Sequence, residues 1–413
     1  MEDCDVIVVG AGLAGLECAR TLVEAGLVVR VLEAGDAVGG RVRTDRVDGY
    51  LVDRGFQLLN PAYPAVRDRV DVRNLALRPF WPAVGVRTED RLALLADPRR
   101  APRLLGRTLT SGYVRPLELL DLARWAAPAL GPVPRLLARP DTTLAESFVD
   151  AGVEGRLRRE VLEPFLAGVL ADASGSTSAH FVRLLVRVFL RGTPGVPAAG
   201  MGALPAQLAR HLGERVVLQT RVERIERTGA GLRVLGPRTP QVARAVVVAT
   251  DPRTAGALAG TPTPAMKGLV TWWYAVPPEA GPVEPVLVVD GRRGGPVVNA
   301  AAMSAVAPSY APADRHLVQA TCLLGASEPD EAAVRRQAAD MLGLDPHGWE
   351  PVAHHAIPEA LPAQPAPLVT RRQVDLGGGL LVCGDHRDTA SIQGALVSGR
   401  RTGRAVAELL GGR

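Results

Sequence analysis

The first 32 residues constrain the fold of this chain more than any other segment does. Residues 5–9 read Asp-Val-Ile-Val-Val, a β-branched run typical of a strand that is buried on both faces. A glycine-rich turn occupies residues 10–15, residues 16–22 have helical character, and Gly26 is a stop signal before a second strand at residues 28–32. This order predicts a βαβ unit in a parallel sheet.

The turn, Gly-Ala-Gly-Leu-Ala-Gly, indicates a dinucleotide-binding site because it lies between that strand and that helix. Gly10 permits the tight turn, Gly12 lets the backbone approach a pyrophosphate, and Gly15 lets the helix and strand pack closely. The free N–H groups of the helix start, at Leu13 and Ala14, then face the phosphates. The alternative is a structural turn that binds no ligand.

Glu33 ends the second strand, eighteen residues after Gly15. A carboxylate in this place accepts hydrogen bonds from an adenosine ribose and repels a 2′-phosphate, which disfavours NADP. The sequence contains no second glycine fingerprint after a strand, so no separate nicotinamide site is predicted. NAD and FAD are the candidate dinucleotides at this point.

The residues after Glu33 carry a resemblance to a known group of flavoproteins. Residues 34–41 read Ala-Gly-Asp-Ala-Val-Gly-Gly-Arg, and this segment resembles the superfamily of flavin amine oxidases, protoporphyrinogen oxidases and phytoene-type desaturases. The resemblance implies FAD as the cofactor, with Gly39, Gly40 and Arg41 near its pyrophosphate. A planar guanidinium beside a dianion is also favourable on chemical grounds.

The C-terminal end of the chain resembles the same superfamily. Residues 380–383 predict a buried strand, followed by Gly384 and Asp385 and by a helix that leads from Ser391 through Leu410. In the superfamily the Gly-Asp pair meets the ribityl chain and pyrophosphate, and the last helix points its first N–H groups at the flavin. The resemblance therefore implies that both ends of the chain meet on one FAD.

The middle of the chain predicts a hairpin that returns to the cofactor. Residues 220–225 have the pattern of a strand, residues 229–231 that of a turn, and residues 232–234 that of the returning strand. In the superfamily the backbone at the position of Val222 pairs with adenine, although the alternation alone fits any hairpin.

Gly55 and Gln57 follow a short predicted strand at residues 50–52, where a glycine-containing segment runs alongside the flavin in the related proteins. An ordinary surface turn explains these two residues nearly as well. The complete set of predicted FAD-binding residues is Gly10, Gly12, Leu13, Ala14, Gly15, Glu33, Ala34, Gly39, Gly40, Arg41, Gly55, Gln57, Val222, Gly384, Asp385, Ser391, Ile392, Gln393 and Ala395.

The sequence predicts an α/β protein. A Rossmann-like FAD-binding domain, a parallel sheet with helices and a β-hairpin layer, is interleaved with an α+β substrate-binding domain. The FAD-binding domain is expected at residues 1–65, 200–255 and 371–413. The substrate-binding domain is expected at residues 66–199, which have mostly helical spacing, and at residues 256–370.

Three residues are candidates for catalysis. Lys267 is the only lysine among 48 basic residues. In flavin amine oxidases a lysine on a substrate-domain strand holds a water at flavin N5, whereas a solvent-facing lysine is the simpler explanation here. His386 and Arg387 follow Gly384 and Asp385, and they would orient the substrate or stabilise anionic reduced flavin unless they form a salt-bridged loop.

The predicted function is that of an FAD-dependent oxidoreductase of the amine oxidase superfamily. A hydride from the C–N bond of an amine, or from an allylic C–C bond, would pass from a small apolar or amine substrate to flavin N5, and oxygen or another acceptor would reoxidise the flavin. The chain has only 16 aromatic residues from which an amine-binding cage could be built. The sequence of residues 390–399 resembles that of carotenoid desaturases, so a carotenoid or isoprenoid (phytoene-type) desaturase or isomerase is the alternative. A catalytically inactive flavin-binding regulator is the alternative of another class.

Charge and cysteine content narrow the partners. The net charge is +5, but the arginines are spread among 43 acidic residues, so no nucleic-acid binding is predicted. Four scattered cysteines without a CxxC pair predict no metal site. Acidic residues after Met1 and the lack of a long apolar run predict a cytoplasmic protein.

Residues 103–139 are rich in Leu and Arg. They predict an amphipathic cap on the substrate domain, with peripheral contact to the inner face of the membrane as the alternative.

Overall fold

A computed structural model describes residues 4–229, 231–237 and 240–411. The strands are β1 (Cys4–Val9), β2 (Val29–Leu32), β3 (Thr44–Val47), β4 (Tyr50–Asp53), β5 (Leu77–Pro79), β6 (Ala83–Arg87), β7 (Leu92–Ala96), β8 (Gly195–Pro197), β9 (Val216–Val217), β10 (Arg224–Thr228), β11 (Gly231–Leu235), β12 (Gln241–Val248), β13 (Met266–Val276), β14 (Leu287–Asp290), β15 (Val297–Ala302), β16 (His316–Leu323), β17 (Glu350–Pro362) and β18 (Leu380–Val382). The helices are α1 (Leu13–Glu24), α2 (Pro64–Arg69), α3 (Leu105–Leu109), α4 (Pro116–Ala126), α5 (Val133–Leu137), α6 (Leu144–Asp150), α7 (Gly155–Leu157), α8 (Glu163–Leu170), α9 (Ala179–Phe189), α10 (Ala203–Arg210), α11 (Pro252–Ala259), α12 (Met303–Val306), α13 (Glu331–Leu342) and α14 (Ile392–Leu410).

The first sheet has the strand order β10-β11-β12-β1-β2-β9. Strands β12, β1, β2 and β9 are parallel, and β18 runs parallel to the C-terminal half of β12. The antiparallel hairpin β10–β11 extends the sheet along the other half of β12. Val6 and Val8 of β1 pack into one apolar cluster and Ile7 and Val9 into another, so both faces of this strand are covered.

The second sheet has the order β17-β13-β16-β15-β14-β6-β7 and is antiparallel except where β14 pairs with β6. Its strands come from residues 83–96 and 266–362, whereas those of the first sheet come from residues 4–32, 216–248 and 380–382. The domain division expected from the sequence agrees with this origin of the strands and stays a prediction. Residues 1–3, 230, 238–239 and 412–413 belong to the expected FAD-binding domain and lie outside the described residues.

The two terminal segments are held together by the packing of α1 against α14. A Cβ on Gly399 of α14 would overlap the carbonyl oxygen of Ala14 in α1. A Cβ on Gly403, one turn later, would lie 2.8 Å from the Cβ of Thr21. Only glycine permits this close approach, which fixes the middle of α14 beside α1.

Two predictions from the sequence are wrong in detail. Residues 220–223 are not a strand, because Gln219 takes a φ of +51° and the N–H of Thr220 bonds to the carbonyl of Glu33 at 2.7 Å, which carries the chain across the end of β2. Residues 83–96, in a region predicted to be mostly helical, form β6 and β7, because pairing with the distant β14 outweighs local propensity.

Among the helices that the structure describes, none combines the length and the apolar character needed to cross a membrane.

Candidate functional site

Four parallel strands end at one edge of the first sheet. Val9 at the end of β1 is in register with Leu32 of β2 and with Val248 of β12, and Val248 is in register with Val382 of β18. The loops that follow these strands carry most of the residues predicted to bind FAD. In open α/β sheets ligands bind outside the carboxyl ends of the strands, so this edge is the candidate site.

The glycine turn after β1 has the steric features that a phosphate-binding turn requires. Gly10 has a φ of +105°, and a Cβ there would lie 2.8 Å from the carbonyl oxygen of Ala249. A Cβ on Gly15 would overlap the carbonyl oxygen of Gly10, so α1 and β1 approach closely. Gly12 faces open space, with nothing in the described chain within 4 Å of a Cβ position. Leu13 and Ala14 are buried at the start of α1, and among the residues that the structure describes no side chain caps its free N–H groups.

Glu33 lies directly after β2, and backbone donors hold its carboxylate in place. Oε2 accepts a hydrogen bond from the N–H of Ala11 and Oε1 accepts one from the N–H of Gly35, both at 2.7 Å. Each oxygen keeps a further lone pair, so a ribose hydroxyl still finds an acceptor here. Ala34 is exposed beside it.

Gly39 and Gly40 return the chain to the glycine turn. The N–H of Gly39 donates to the carbonyl of Ala11 at 2.8 Å, and Gly39 forms a parallel β-bridge with Gly12. A Cβ on Gly40 would lie 3.4 Å from the Cα of Gly12. The two glycine segments thus form one backbone surface with little side-chain cover.

Arg41 joins the two ends of the chain. Its Nη2 donates to Oδ1 of Asp385 at 2.6 Å, and its Nη1 donates to the carbonyl of Ala360 at 2.7 Å. Its own carbonyl accepts a hydrogen bond from Nε2 of Gln57 at 2.6 Å. Gly55 has a φ of +82°, a backbone conformation that favours glycine, and a Cβ on it would lie 2.7 Å from Cδ1 of Ile357.

The C-terminal motif is shaped by its own side chains. The N–H of Gly384 donates to Oγ of Ser398 at 3.1 Å, and Oγ of Ser391 caps α14 by accepting from the N–H of Gly394 at 3.0 Å. Oε1 of Gln393 accepts from the N–H of Ala65 at 2.9 Å. Ile392, Gln393 and Ala395 are half-buried in the first turn of α14.

His386 and Arg387 are both buried after Asp385, but their surroundings differ. Burial lowers the pKa of His386 to about 4, opposed by Asp385 and aided by Arg387 and Arg41, so its ring is neutral at physiological pH. Neither ring nitrogen has a hydrogen-bond partner among the described residues. The guanidinium of Arg387 donates to the carbonyl of Gln373, and burial followed by the charges of nearby arginines lowers its pKa.

Lys267 lies at the start of β13 and is about one third exposed. Its Nζ lies 3.5 Å from Oδ1 of Asp172, a buried carboxylate. Burial alone would raise the pKa of Asp172, but hydrogen bonds from Ser174, Ser176 and Thr177 lower it to about 2. Lys267 therefore has a partner that is anionic at neutral pH.

The surroundings of Lys267 connect it to the C-terminal motif. A small cavity is lined by Leu170, Thr177, Phe181, Lys267, Leu361, Pro362, Ala363, Gln364 and Ala390. Lys267 is in register with Leu361 of β17, and the preceding residue, Ala360, accepts the hydrogen bond from Arg41. The lysine is thus one strand position away from a direct contact of Arg41.

Two acidic residues of this region were not predicted from the sequence. Asp172 gave no signal, because its partner Lys267 is 95 residues away in the sequence. Asp53, the last residue of β4, accepts hydrogen bonds from Thr44 Oγ1 at 2.5 Å, from Met201 N–H at 2.9 Å and from Tyr310 OH at 2.9 Å. Burial raises the pKa of Asp53 to about 6 against the effect of these bonds. Its place directly before Arg54 and Gly55 was the available clue.

The residues at this edge fit FAD. The segment that contains Val222 lies beside Glu33, because the N–H of Gln219 donates to the carbonyl of Gly35 at 2.9 Å. Val222 is buried, yet within the described chain its peptide N–H and C=O have no hydrogen-bond partner. Free peptide groups in a buried place match the edge of an adenine. The open backbone at Gly12 and the unpartnered ring of His386 offer further places for a cofactor.

Comparisons with known proteins give relatives of several kinds. A segment of 57 residues is 58% identical to putrescine oxidase from Kocuria rosea, covering 14% of this chain and 12% of that protein. Over 266 residues the chain is 30% identical to a candidate flavin-containing monoamine oxidase of Mycobacterium tuberculosis, covering 60% of this chain and 57% of that one. Over 100 residues it is 37% identical to hydroxyneurosporene desaturase of Rhodobacter capsulatus, covering 24% and 18%. Each match spans less than two thirds of the relative's length.

The fold also occurs in solved structures. Cyclohexylamine oxidase from Brevibacterium oxydans superimposes with a TM-score of 0.73 over 99% of this chain and 100% of that chain, at 18% identity. This likeness confirms the predicted fold class. Residues 13–407 match the family described as flavin-containing amine oxidoreductase, which confirms the predicted superfamily and its FAD cofactor. The chain is a member of the flavin-containing amine oxidoreductase family.

Proposed function

We propose that this protein oxidises a small, largely apolar amine. The observation that carries the proposal is the placement of its single lysine, Lys267, which faces a small cavity together with Ala390 of the C-terminal motif. When bound, FAD supplies the acceptor for the hydride that leaves the carbon beside the amine nitrogen. The protein's own residues bind the cofactor, exclude water and hold the substrate.

For the cofactor we assign four roles. Glu33 accepts from the ribose, the free peptide group of Val222 pairs with the adenine, and Gly12 with the start of α1 meets the pyrophosphate. Arg41 adds a guanidinium whose remaining N–H groups are available to the same pyrophosphate, since Asp385 and Ala360 occupy only Nη2 and Nη1 once each.

Lys267 is assigned to holding a water molecule in the cavity, and Asp172 to holding Lys267. The Lys267 side chain is about two thirds covered and loses part of its hydration, so a paired charge stabilises it, and a carboxylate with a pKa of about 2 stays charged over the working pH range. The pair lies close to Arg41 through β17, as the register of Lys267 with Leu361 supports. His386 is assigned to the cofactor because its buried nitrogens lack partners within the described part of the chain, and Arg387 is assigned to stabilising negative charge nearby.

The cavity beside Lys267 has a volume of about 10 Å³, which is room for one water molecule and not for a substrate. Its lining combines hydrophobic surface from Leu170, Phe181, Leu361 and Pro362 with polar groups from Thr177, Gln364 and Lys267. We propose that the substrate lies next to this lining, where an apolar wall with a few polar groups orients a small ligand. The reacting amine must lose its proton before hydride transfer, and a neutral amine is the form that an apolar pocket favours.

A second candidate is desaturation of an isoprenoid. The segment that is 37% identical to hydroxyneurosporene desaturase supports it, as does the run Ala390-Ser391-Ile392-Gln393, which contains no aromatic residue. In that case Lys267 has no direct part in the chemistry.

Anaerobic stopped-flow measurement of flavin bleaching separates the candidates. Polyamines, aromatic amines and a detergent-solubilised polyene are offered to wild type, Lys267→Met and Arg253→Met. Arg253 is the matched control, because it pairs with Glu359 at the surface. We expect bleaching by an amine, slowed at least tenfold in Lys267→Met and unchanged in Arg253→Met. Bleaching by the polyene alone, with Lys267→Met fully active, would replace the proposal with the desaturase. A flavin that no substrate bleaches indicates the inactive regulator.

A further inference from the structure

The outer face of α4 is apolar, which is unusual for a helix at a protein surface. Leu117 is 77% exposed, Leu120 is 45% exposed and Leu119 is 39% exposed. The inner face already anchors the helix: Trp125 is buried and its Nε1 donates to Ser147 at 3.0 Å, and Glu118 accepts from the N–H of Leu157 at 2.9 Å. The outer leucines therefore contribute little to the fold.

Exposed apolar side chains are concentrated around this helix. Of the twelve large hydrophobic residues that are exposed in the described chain, seven lie within residues 105–130: Leu105, Leu109, Val114, Leu117, Leu119, Leu120 and Leu130. The other five are scattered over the rest of the molecule, as is normal for single surface residues. A concentration of this kind marks an interaction surface.

The charges around the leucines are of one sign. Residues 103–139 contain six arginines and two acidic residues, so this segment carries +4 of the net charge of +5. All six arginines are exposed, whereas Glu118 and Asp121 are half-buried. Three arginines have carboxylate partners: Arg107 pairs with Glu284, Arg115 with Glu118 and Arg124 with Asp121. Ion pairs at a protein surface are weak, so these arginines can still interact with an anionic partner.

We propose that residues 103–139 form a surface that docks on an anionic lipid bilayer. The exposed leucines enter the boundary between headgroups and acyl chains, and the arginines lie at the level of the lipid phosphates. A second copy of the chain fits this surface less well, because a two-fold contact would bring like-charged arginines together. The proposal goes beyond the oxidation of an amine and does not depend on the substrate.

Vesicle co-sedimentation of the FAD-loaded full chain tests the proposal. One vesicle is phosphatidylcholine alone, and the other contains about 30% phosphatidylglycerol. The double variant Leu117→Glu/Leu120→Glu removes the apolar contact, and Arg124→Gln removes one charge. Leu409→Glu is the matched control, since Leu409 is 51% exposed on α14. Flavin content and circular dichroism of each variant establish that it is folded.

We expect the wild type to bind the anionic vesicle, and we expect high salt to weaken this binding. The affinity for the vesicle should fall at least tenfold in Leu117→Glu/Leu120→Glu and about fivefold in Arg124→Gln, and it should be unchanged in Leu409→Glu. Absent binding, or equal binding to both vesicles, overturns the proposal. A dimer that Leu117→Glu/Leu120→Glu dissociates, with vesicle binding unaltered, would assign the surface to a second copy instead. None of these readouts requires turnover, so a failed amine assay leaves the result intact.

Discussion

The burial of Asp53 predicts how the free energy of unfolding changes with pH. Its carboxyl group is 1% exposed, and burial raises its pKa from 3.8 to about 6. Each unit corresponds to about 1.4 kcal/mol, so ionisation of Asp53 lowers the free energy of unfolding by about 3 kcal/mol. Because the folded pKa is the higher one, the stabilising contribution is complete below about pH 4 and is lost as the pH rises through about 6.

Asn in place of Asp53 preserves the size of the side chain and removes the titration. We expect the free energy of unfolding of wild type, minus that of Asp53→Asn, to fall by about 3 kcal/mol between pH 4 and pH 8. Urea unfolding of both FAD-loaded proteins, followed by tryptophan fluorescence, measures this difference. Asp68→Asn is the control for the exchange of Asp by Asn, because the Asp68 side chain is 60% exposed. A flat difference for Asp53→Asn would refute the reasoning.

Three further predictions concern the candidate site. Glu33→Arg removes the acceptor that holds the N–H groups of Ala11 and Gly35, and FAD affinity should fall at least tenfold in a fluorescence titration; equal affinity would remove Glu33 from the ribose role. Gly15→Ala forces a methyl group onto the Gly10 carbonyl, so the purified protein should lose its flavin absorbance, whereas Gly229→Ala, with open space around it, should retain it. Arg387→Ala should lower both turnover and the flavin midpoint potential, and no change in either would make Arg387 a loop residue only.

The parts of the fold that the sequence predicted are those controlled by short-range steric rules. Glycines that must avoid a Cβ at Gly10 and Gly15, and β-branched runs buried on both faces, can be recognised within a few residues. The terminal segments were also predicted to lie together, and the pair of Arg41 with Asp385 joins residues 344 positions apart. Here a family resemblance supplied what local patterns do not contain.

The features that the sequence did not predict depend on distant partners. Asp53 is buried because Tyr310, 257 residues later, reaches its carboxylate, and nothing near Asp53 encodes that contact. Strand β6 forms because β14, about 200 residues later, provides its hydrogen-bonding edge. The ionic state of a side chain and the choice between helix and strand are decided by such contacts, which a single sequence leaves open.

The partner of Lys267 explains why position 267 carries a lysine and not an arginine. A guanidinium beside Asp172 would favour a flat, two-point contact and fill the cavity with its planar group, whereas an ammonium is compact and has three donors. The N–H and Oγ of Ser174, the Oγ of Ser176 and the Oγ1 of Thr177 already occupy the four lone-pair sites of the Asp172 carboxylate, so Nζ contacts it at 3.5 Å as an ion pair. The N–H donors of Lys267 are then left for the cavity. Of the 48 basic residues, 47 are arginine, and the one lysine lies where a compact donor leaves room for a water molecule. This placement supports the proposal that Lys267 holds a water in the cavity.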